Sequence, residues 1–162
     1  MLLSAEDLAL LNQGLSVSVA SRDAGHMPNM VRAVGHRVES SGEVTVFLSR
    51  VDGRAVLEDL RDNGAIAVVF SQPSTSRTVQ LKGDGVAIAT ASAGDLAAVA
   101  GCREATAAEL AVVGFSREFA LRLLDAPAED IVAVRFLPRS AFDQTPGPRA
   151  GAPLAGDRGS TP

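Results

Sequence analysis

The stretch PNMVRAVGHRVESSGEVTVFLSRVDGRAVLEDLRDNGAIAVVFSQPSTSRTVQLKG, from Pro28 to Gly83, decides the fold of this chain. In PNMVRAVGHRVE apolar and polar residues alternate loosely and in EVTVFLS more strictly, with the turn-forming Ser40-Ser41-Gly42 between them, which predicts a hairpin. VDGRAVLEDLRDNG reads as a short amphipathic helix. Asp52 stands at its N-cap, Val56, Leu57 and Leu60 share one face, and Asn63-Gly64 is a left-handed stop. AIAVVFSQ is a near-continuous apolar run suited to a buried strand, and SRTVQLKG returns from Pro73-Ser74-Thr75 as an alternating one. The order is strand, strand, helix, strand, strand, with basic residues where the chain changes direction.

Outward on the N-terminal side, Ser4 to Asn12 reads as a short helix in which Ser4 and Asp7 have capping-box spacing and Gly14 is the stop. Leu15 to Ser21 alternates as a first strand, closed by the Arg22-Asp23-Ala24-Gly25 turn. On the C-terminal side, LKGDGVAIATA continues a strand past a Gly-Asp-Gly interruption, which suits a bulge or barrel corner. Ala93 to Ala126 predicts two helices broken near Gly114, the second capped by Ser116. Ile131 to Leu137 reads as the final strand. The stretch FDQTPGPRAG is an extended or turning arm, and Gly151 to Pro162, with Leu154 as its one large apolar residue, has little with which to pack.

Composition narrows the function classes. A chain of 162 residues is most simply one domain, here residues 1–140 followed by a C-terminal arm, residues 141–162. The single Cys102 excludes an internal disulfide and a four-thiolate metal site, and fits a cytoplasmic setting. Glu6 and Asp7 break the N-terminal apolar run, and no run reaches membrane-spanning length, so no membrane partner is expected. A net charge of −4 with scattered basic residues argues against nucleic acid.

Other sites read as structural. His26 and His36 lack the His, Cys or carboxylate neighbours of a metal site, so no metal is expected. No GxSxG frames a serine nucleophile, and the Gly83-Asp84-Gly85 run lacks the spacing of a dinucleotide fingerprint. Cys102 lies in an Ala-rich helix and reads as a small core residue, and Lys82 before Gly83 as a solvated strand end.

The ordered set of Arg32 in a strand, Phe47-Leu48-Ser49 ending the next, Arg54 at a helix start, a buried strand, then Arg77-Thr78-Val79 and Gly83 resembles the FMN-binding split barrel of the pyridoxamine 5'-phosphate oxidase-like superfamily, over about Leu15 to Arg139. The resemblance implies an α+β, mainly β fold: a six-stranded Greek-key-like split barrel with peripheral helices, assembled as a homodimer. It implies FMN as cofactor and an FMN-dependent oxidoreductase acting on a small-molecule substrate. The alternatives are a non-catalytic module for flavin, deazaflavin or haem, and a cofactor-free structural dimer.

FMN joins a phosphate dianion to a flat, largely apolar ring, so its site needs cations or helix-terminal amides at one end. By the resemblance the cofactor-binding residues are Arg32, Arg37, Ser49, Arg54, Arg77, Thr78 and Gln80. Arg32 and Arg37 are five apart and fall on opposite faces of a regular strand, unless a bulge at Gly35 restores one face. Asp52 stands where the family usually has a hydroxyl residue, and as an N-cap it would occupy the amides that a phosphate needs. Thr78 falls where the family often has a glutamine that reaches the flavin, with Gln80 one strand repeat on. Arg149, on the C-terminal arm, reads by default as an exposed basic residue; in dimers of the family that segment often approaches the partner's cofactor site, which the resemblance makes the alternative for Arg149. The chain has no Trp, and with it no trace of the oxidase's Trp-containing substrate signature. No side chain stands out as an acid or base.

Overall fold

The structure, a computed structural model, describes residues 2–154. Its strands are β1 (Ser16–Arg22), β2 (Pro28–Arg32), β3 (Gly35–Val38), β4 (Val44–Ser49), β5 (Ile66–Ser71), β6 (Thr78–Gly83), β7 (Ala87–Thr90), β8 (Ile131–Phe136) and β9 (Ser140–Asp143). The helices are α1 (Ala5–Leu11), α2 (Arg54–Asn63), α3 (Ala93–Val112) and α4 (Arg117–Leu123). Two antiparallel sheets form, ordered β2-β1-β5-β6-β9 and β3-β4-β8-β7.

The nine strands follow six chain paths, because three paths bend and give one half to each sheet: β2 into β3 at Ala33-Val34, β6 into β7 at Asp84-Gly85-Val86, and β8 into β9 at Leu137-Pro138-Arg139. The six-strand expectation counted paths. Each bend is where a strand turns a corner to close the barrel. The fold is α+β, mainly β.

The barrel interior is the main core. Val17, Val19, Val68, Phe70, Val79 and Leu81 face inward from the five-stranded sheet toward Val44, Val46, Leu48, Val132, Val134 and Phe136 of the other. Helix α2 adds Val56, Leu57 and Leu60, the face that its spacing predicts, and ends at the left-handed Gly64 (φ 69°). Helix α1 carries the Ser4–Asp7 capping box and closes the barrel with Leu10 and Leu11. A smaller cluster of Val34, Phe47, Val99, Ile131 and Ala133 lies under α3, on the outside of the four-stranded sheet.

The C-terminal stretch packs more than its composition suggests. Ile131 to Leu137 is not the last strand: the chain turns at Pro138 and runs on as β9, so the expected boundary at residue 140 falls inside a strand. The turn through Gly147 then doubles the chain back. The Gly151 amide donates to the Asp143 carbonyl at 2.7 Å, the Leu154 amide donates to the Ala141 carbonyl at 2.9 Å, and Leu154 packs on the barrel core. Residues 151–154 are thus a packed return, and the remainder of the expected tail, residues 155–162, lies outside the described residues.

His36 points into the core rather than into solvent. Its ring meets Phe70 edge-on at 5.4 Å between centroids, and Nε2 donates to the Leu11 carbonyl at 2.8 Å, which fixes the neutral tautomer with its proton on Nε2. Desolvation holds its pKa below the ordinary imidazole value, partly offset by the bond to Leu11. Since the native pKa is depressed, the neutral ring's contribution is complete above about pH 6.5 and is lost as the pH falls below that value. The melting temperature should therefore drop between pH 7.5 and pH 5.5, and His36→Gln, which keeps a donor for Leu11, should remove part of that drop; an unchanged drop would mean that His36 does not carry it.

Candidate functional site

The alternation of the five-stranded sheet leaves one face turned away from the core, and the register shows which residues share it. One row across all five strands reads Arg32, Ser18, Val69, Gln80, Phe142. The next reads Met30, Ala20, Ala67, Lys82, Ser140, and a third contains Ser16, Ser71 and Thr78. None of these side chains is buried. Small residues in the middle of the sheet make a flat floor with longer side chains at its rim.

Charge sets this face apart. Arg22, Arg32 and Lys82 lie on it, yet its strands place no Asp or Glu there, although the whole chain has net charge −4. None of the three cations has a carboxylate partner among the described residues, whereas Arg37, Arg54, Arg77, Arg135 and Arg149 all do. Arg32 donates from Nη1 to the Ser16 hydroxyl at 2.6 Å, Arg22 donates to the Asp23 carbonyl at 3.4 Å, and the Lys82 ammonium stands 5.0 Å from the centre of the Phe142 ring. Three uncompensated cations on an acid-free face raise the local potential and favour an anion.

The start of α2 lies at the β2 edge of this sheet, against Val31, whose side chain turns to the opposite face from Arg32. A Cβ built on Gly53 would lie 3.6 Å from Val31 Cγ1, one residue before Arg32. The expected cap is corrected here: the N-cap position is Gly53, not Asp52, and no side chain caps the helix. The Asp52 amide instead donates to the Ser49 hydroxyl at 3.2 Å, because the tight turn after β4 makes Asp52 part of the turn. The first-turn amides of α2 thus face no side-chain cap, and a helix of ten residues brings partial positive charge to its N-terminus. Buried Ser49 shapes that turn, and Arg54, at the first position of α2, is largely exposed and pairs with Glu58 at 3.1 Å.

The seven expected binding residues therefore separate. Arg32, Thr78 and Gln80 share the outer face of the five-stranded sheet, and Ser49 and Arg54 lie at the helix start next to its β2 edge. The other two are elsewhere. A bulge at Gly35 does not restore one face for Arg32 and Arg37, because the chain crosses between sheets after Arg32. Arg37 ends on the outside of the four-stranded sheet beneath α3, donating to Asp95 at 3.0 Å and Glu39 at 2.8 Å, with its guanidinium over the Phe47 ring. A hydrogen bond from the Ser92 amide, followed by the Arg37 contact, holds the Asp95 carboxyl below the usual range against partial desolvation. Arg77 turns to the barrel mouth, 3.0 Å from Glu6 and 3.9 Å from Asp7, in a cleft of about 520 Å³ that it shares with Asp143 and Arg149. Arg149 pairs there with Asp143 at 3.4 Å.

Arg22 and Lys82 are not among the expected binding residues, since the sequence reads Arg22 as part of a turn and Lys82 as a solvated strand end. The signal for Arg22 was its place in the 16, 18, 20, 22 alternation of β1, beside a turn that invites a solvent reading. Among the described residues no cluster of His, Cys, Asp or Glu could hold a metal ion, and no helix is long and apolar enough to cross a membrane.

As built, the face fits a flat anion: a floor for a ring, hydrogen-bonding side chains at one edge, and Arg32 at the β2 rim, with the uncapped start of α2 against the other side of that edge strand. No family model matches the chain, and no curated protein matches it in sequence. Solved structures do match. HupZ of Group A Streptococcus is 19% identical, with 92% of this chain and 99% of that one covered, at a TM-score of 0.56. An F420 reductase is 13% identical over 82% of this chain and 93% of that one, also at 0.56. A general stress protein 26-related protein from Clostridium acetobutylicum, described as of the pyridoxinephosphate oxidase family, is 15% identical over 84% and 83%, at 0.51. The chain, with its two bent antiparallel sheets, thus shares its fold with solved structures named as a pyridoxamine 5'-phosphate oxidase, a pyridoxinephosphate oxidase family protein and an F420 reductase.

Proposed function

We propose that this protein binds FMN or a closely related flavin on the outer face of the five-stranded sheet and serves as a flavin-dependent oxidoreductase for a small molecule. The observation that carries the reading is the acid-free face with its unpaired Arg32 on β2, the edge strand at which the uncapped α2 begins. Arg32 and the α2 amides would hold the phosphate, with Arg54 able to join by leaving Glu58. The Ser18, Ala20, Ala67 and Val69 floor would carry the ring, and Thr78 and Gln80 would offer hydrogen bonds to its edge. The flavin supplies the electron-transfer chemistry, and the chain's part is to bind, orient and shield it. The named fold relatives, an F420 reductase and a member of the pyridoxinephosphate oxidase family, support a redox role.

Arg32→Ala should weaken FMN by about 1.5–3 kcal/mol, tenfold to a hundredfold, and leave riboflavin, which has no phosphate, much less affected. Arg54→Ala should act in the same direction but less, since its guanidinium is exposed and already paired. Because the chain has no Trp or Tyr, near-ultraviolet and visible absorbance reports the bound chromophore directly. Equal losses for both ligands would remove the phosphate role from these arginines.

The same face suits a homodimer, since it spans five strands and none of its side chains is buried within the chain. Two copies meeting there would bring like charges together, so a bound anion between them should favour assembly. Sedimentation at micromolar concentration should show a dimer that tightens when FMN is added; a monomer with and without FMN would exclude this arrangement.

A further inference from the structure

At the end of the face away from Ser16 and Thr78, a second shallow cleft of about 410 Å³ is lined by Ala20, Arg22, Ala67, Lys82 and their neighbours. We infer that this cleft is a separate anion site, which takes the carboxylate or phosphate group of the small molecule that meets the flavin; the substrate part of this rests on the function proposed above. Arg22 and Lys82 stand on strands separated by β5: Lys82 is in register with Ala67 and Ala20, and Arg22 lies two residues beyond Ala20, which puts their backbones about 12 Å apart on the diagonal. Both side chains are long enough to close on one anion placed over that floor.

Three further observations support it. The cleft is lined by two cations and no carboxylate. The acids next to them in sequence are turned elsewhere: Asp23 Oδ1 accepts the Met27 amide at 2.9 Å, and Asp84 pairs with Arg139 at 2.7 Å. The cleft is also distinct from the Arg32 end. Arg22 lies opposite Pro28, four residues along β2 from Arg32, which is about 13 Å of strand. One phosphate cannot occupy both ends. A ligand or ligand pair with anionic groups at each end would span the Ser18–Ala67 floor between them.

The test follows backbone amide signals of the isotope-labelled full chain while inorganic phosphate or succinate is added at constant ionic strength, with and without saturating FMN. Saturable shifts at Ala65, Ala67 and Gly83 are expected for at least one of the two anions, in the presence of FMN as well as its absence. Phosphate alone would mark a phosphorylated substrate, succinate alone a carboxylate, and both an undiscriminating oxyanion site. Lys82→Met and Arg22→Met should each weaken the response about tenfold, while Arg122→Met, on the exposed side of α4, leaves it unchanged. Shifts no larger than those from sodium chloride, or a response that survives both Lys82→Met and Arg22→Met, would overturn the site. If the site saturates but FMN never binds, the anion site stands and the flavin reading falls. If FMN binds and the cleft is silent, the reverse holds.

Discussion

Phe47→Ala is expected to destabilise the fold by about 3–5 kcal/mol, a large part of the margin of a domain of this size. Phe47 is fully buried and is the largest side chain of the cluster that seats α3 on the four-stranded sheet, touching the level of Val34, Val99, Ile131 and Ala133. Alanine would remove its apolar surface from the cluster and leave a cavity that the paired strands β3, β4 and β8 are too constrained to close. Its ring also lies 5.8 Å from the Arg37 guanidinium, so the Arg37–Asp95 pair would lose its base at the same time. Urea unfolding checks this directly, and a loss below about 1 kcal/mol would show that α3 does not rest on Phe47. Because the cluster lies on the far sheet, folded Phe47→Ala protein should keep wild-type affinity for FMN. This separates damage to the scaffold from damage to the site.

A comparable loss, about 3 kcal/mol or more, is expected from Gly14→Ala. Gly14 is the point at which the chain leaves α1 for β1 and passes against α3. A Cβ there would lie 2.2 Å from the Ala105 carbonyl oxygen and 2.8 Å from the Thr106 amide nitrogen. Those atoms belong to helix backbone and cannot swing aside as a side-chain end would. The close approach is held from the other side by Thr106, whose hydroxyl donates to the Leu15 carbonyl at 3.3 Å. Relief therefore requires α3 to move off β1. A melting temperature lowered by several degrees is the expected result, and an unchanged one would mean that α3 shifts at little cost.

The comparison of Gly14 with Phe47 shows how unevenly a sequence reveals its fold. Phe47 sits in EVTVFLS, whose alternation announces a strand, whereas Gly14 reads only as a helix stop. Its contact with Ala105, ninety-one residues on, has no local trace.

Local patterns determined the elements. Period-two alternation in β1, β4, β6 and β8, the apolar run of β5, helical spacing in α2, the caps at Ser4 and Ser116 and the left-handed Gly64 all act within a few residues, so they are legible without tertiary structure. Even the barrel corner at Gly83-Asp84-Gly85 was legible as an interruption. The ordered basic residues carried the superfamily resemblance for the same reason, as each marks a strand end or helix start.

Only the tertiary structure decided which cations belong together. Arg32 and Arg37 are five residues apart but lie on different sheets, because the chain crosses the barrel between them. Arg77 is neutralised by Glu6 and Asp7 across seventy residues, and Asp52 loses its capping role to the geometry of one turn. The absence of carboxylates on the outer face of the five-stranded sheet is a property of five strands in register, drawn from residues 16 to 142. A charge pattern of that kind depends on strand pairing between distant segments, and hydrophobic periodicity, which is local, says which side of each strand faces out but not which strand lies beside it.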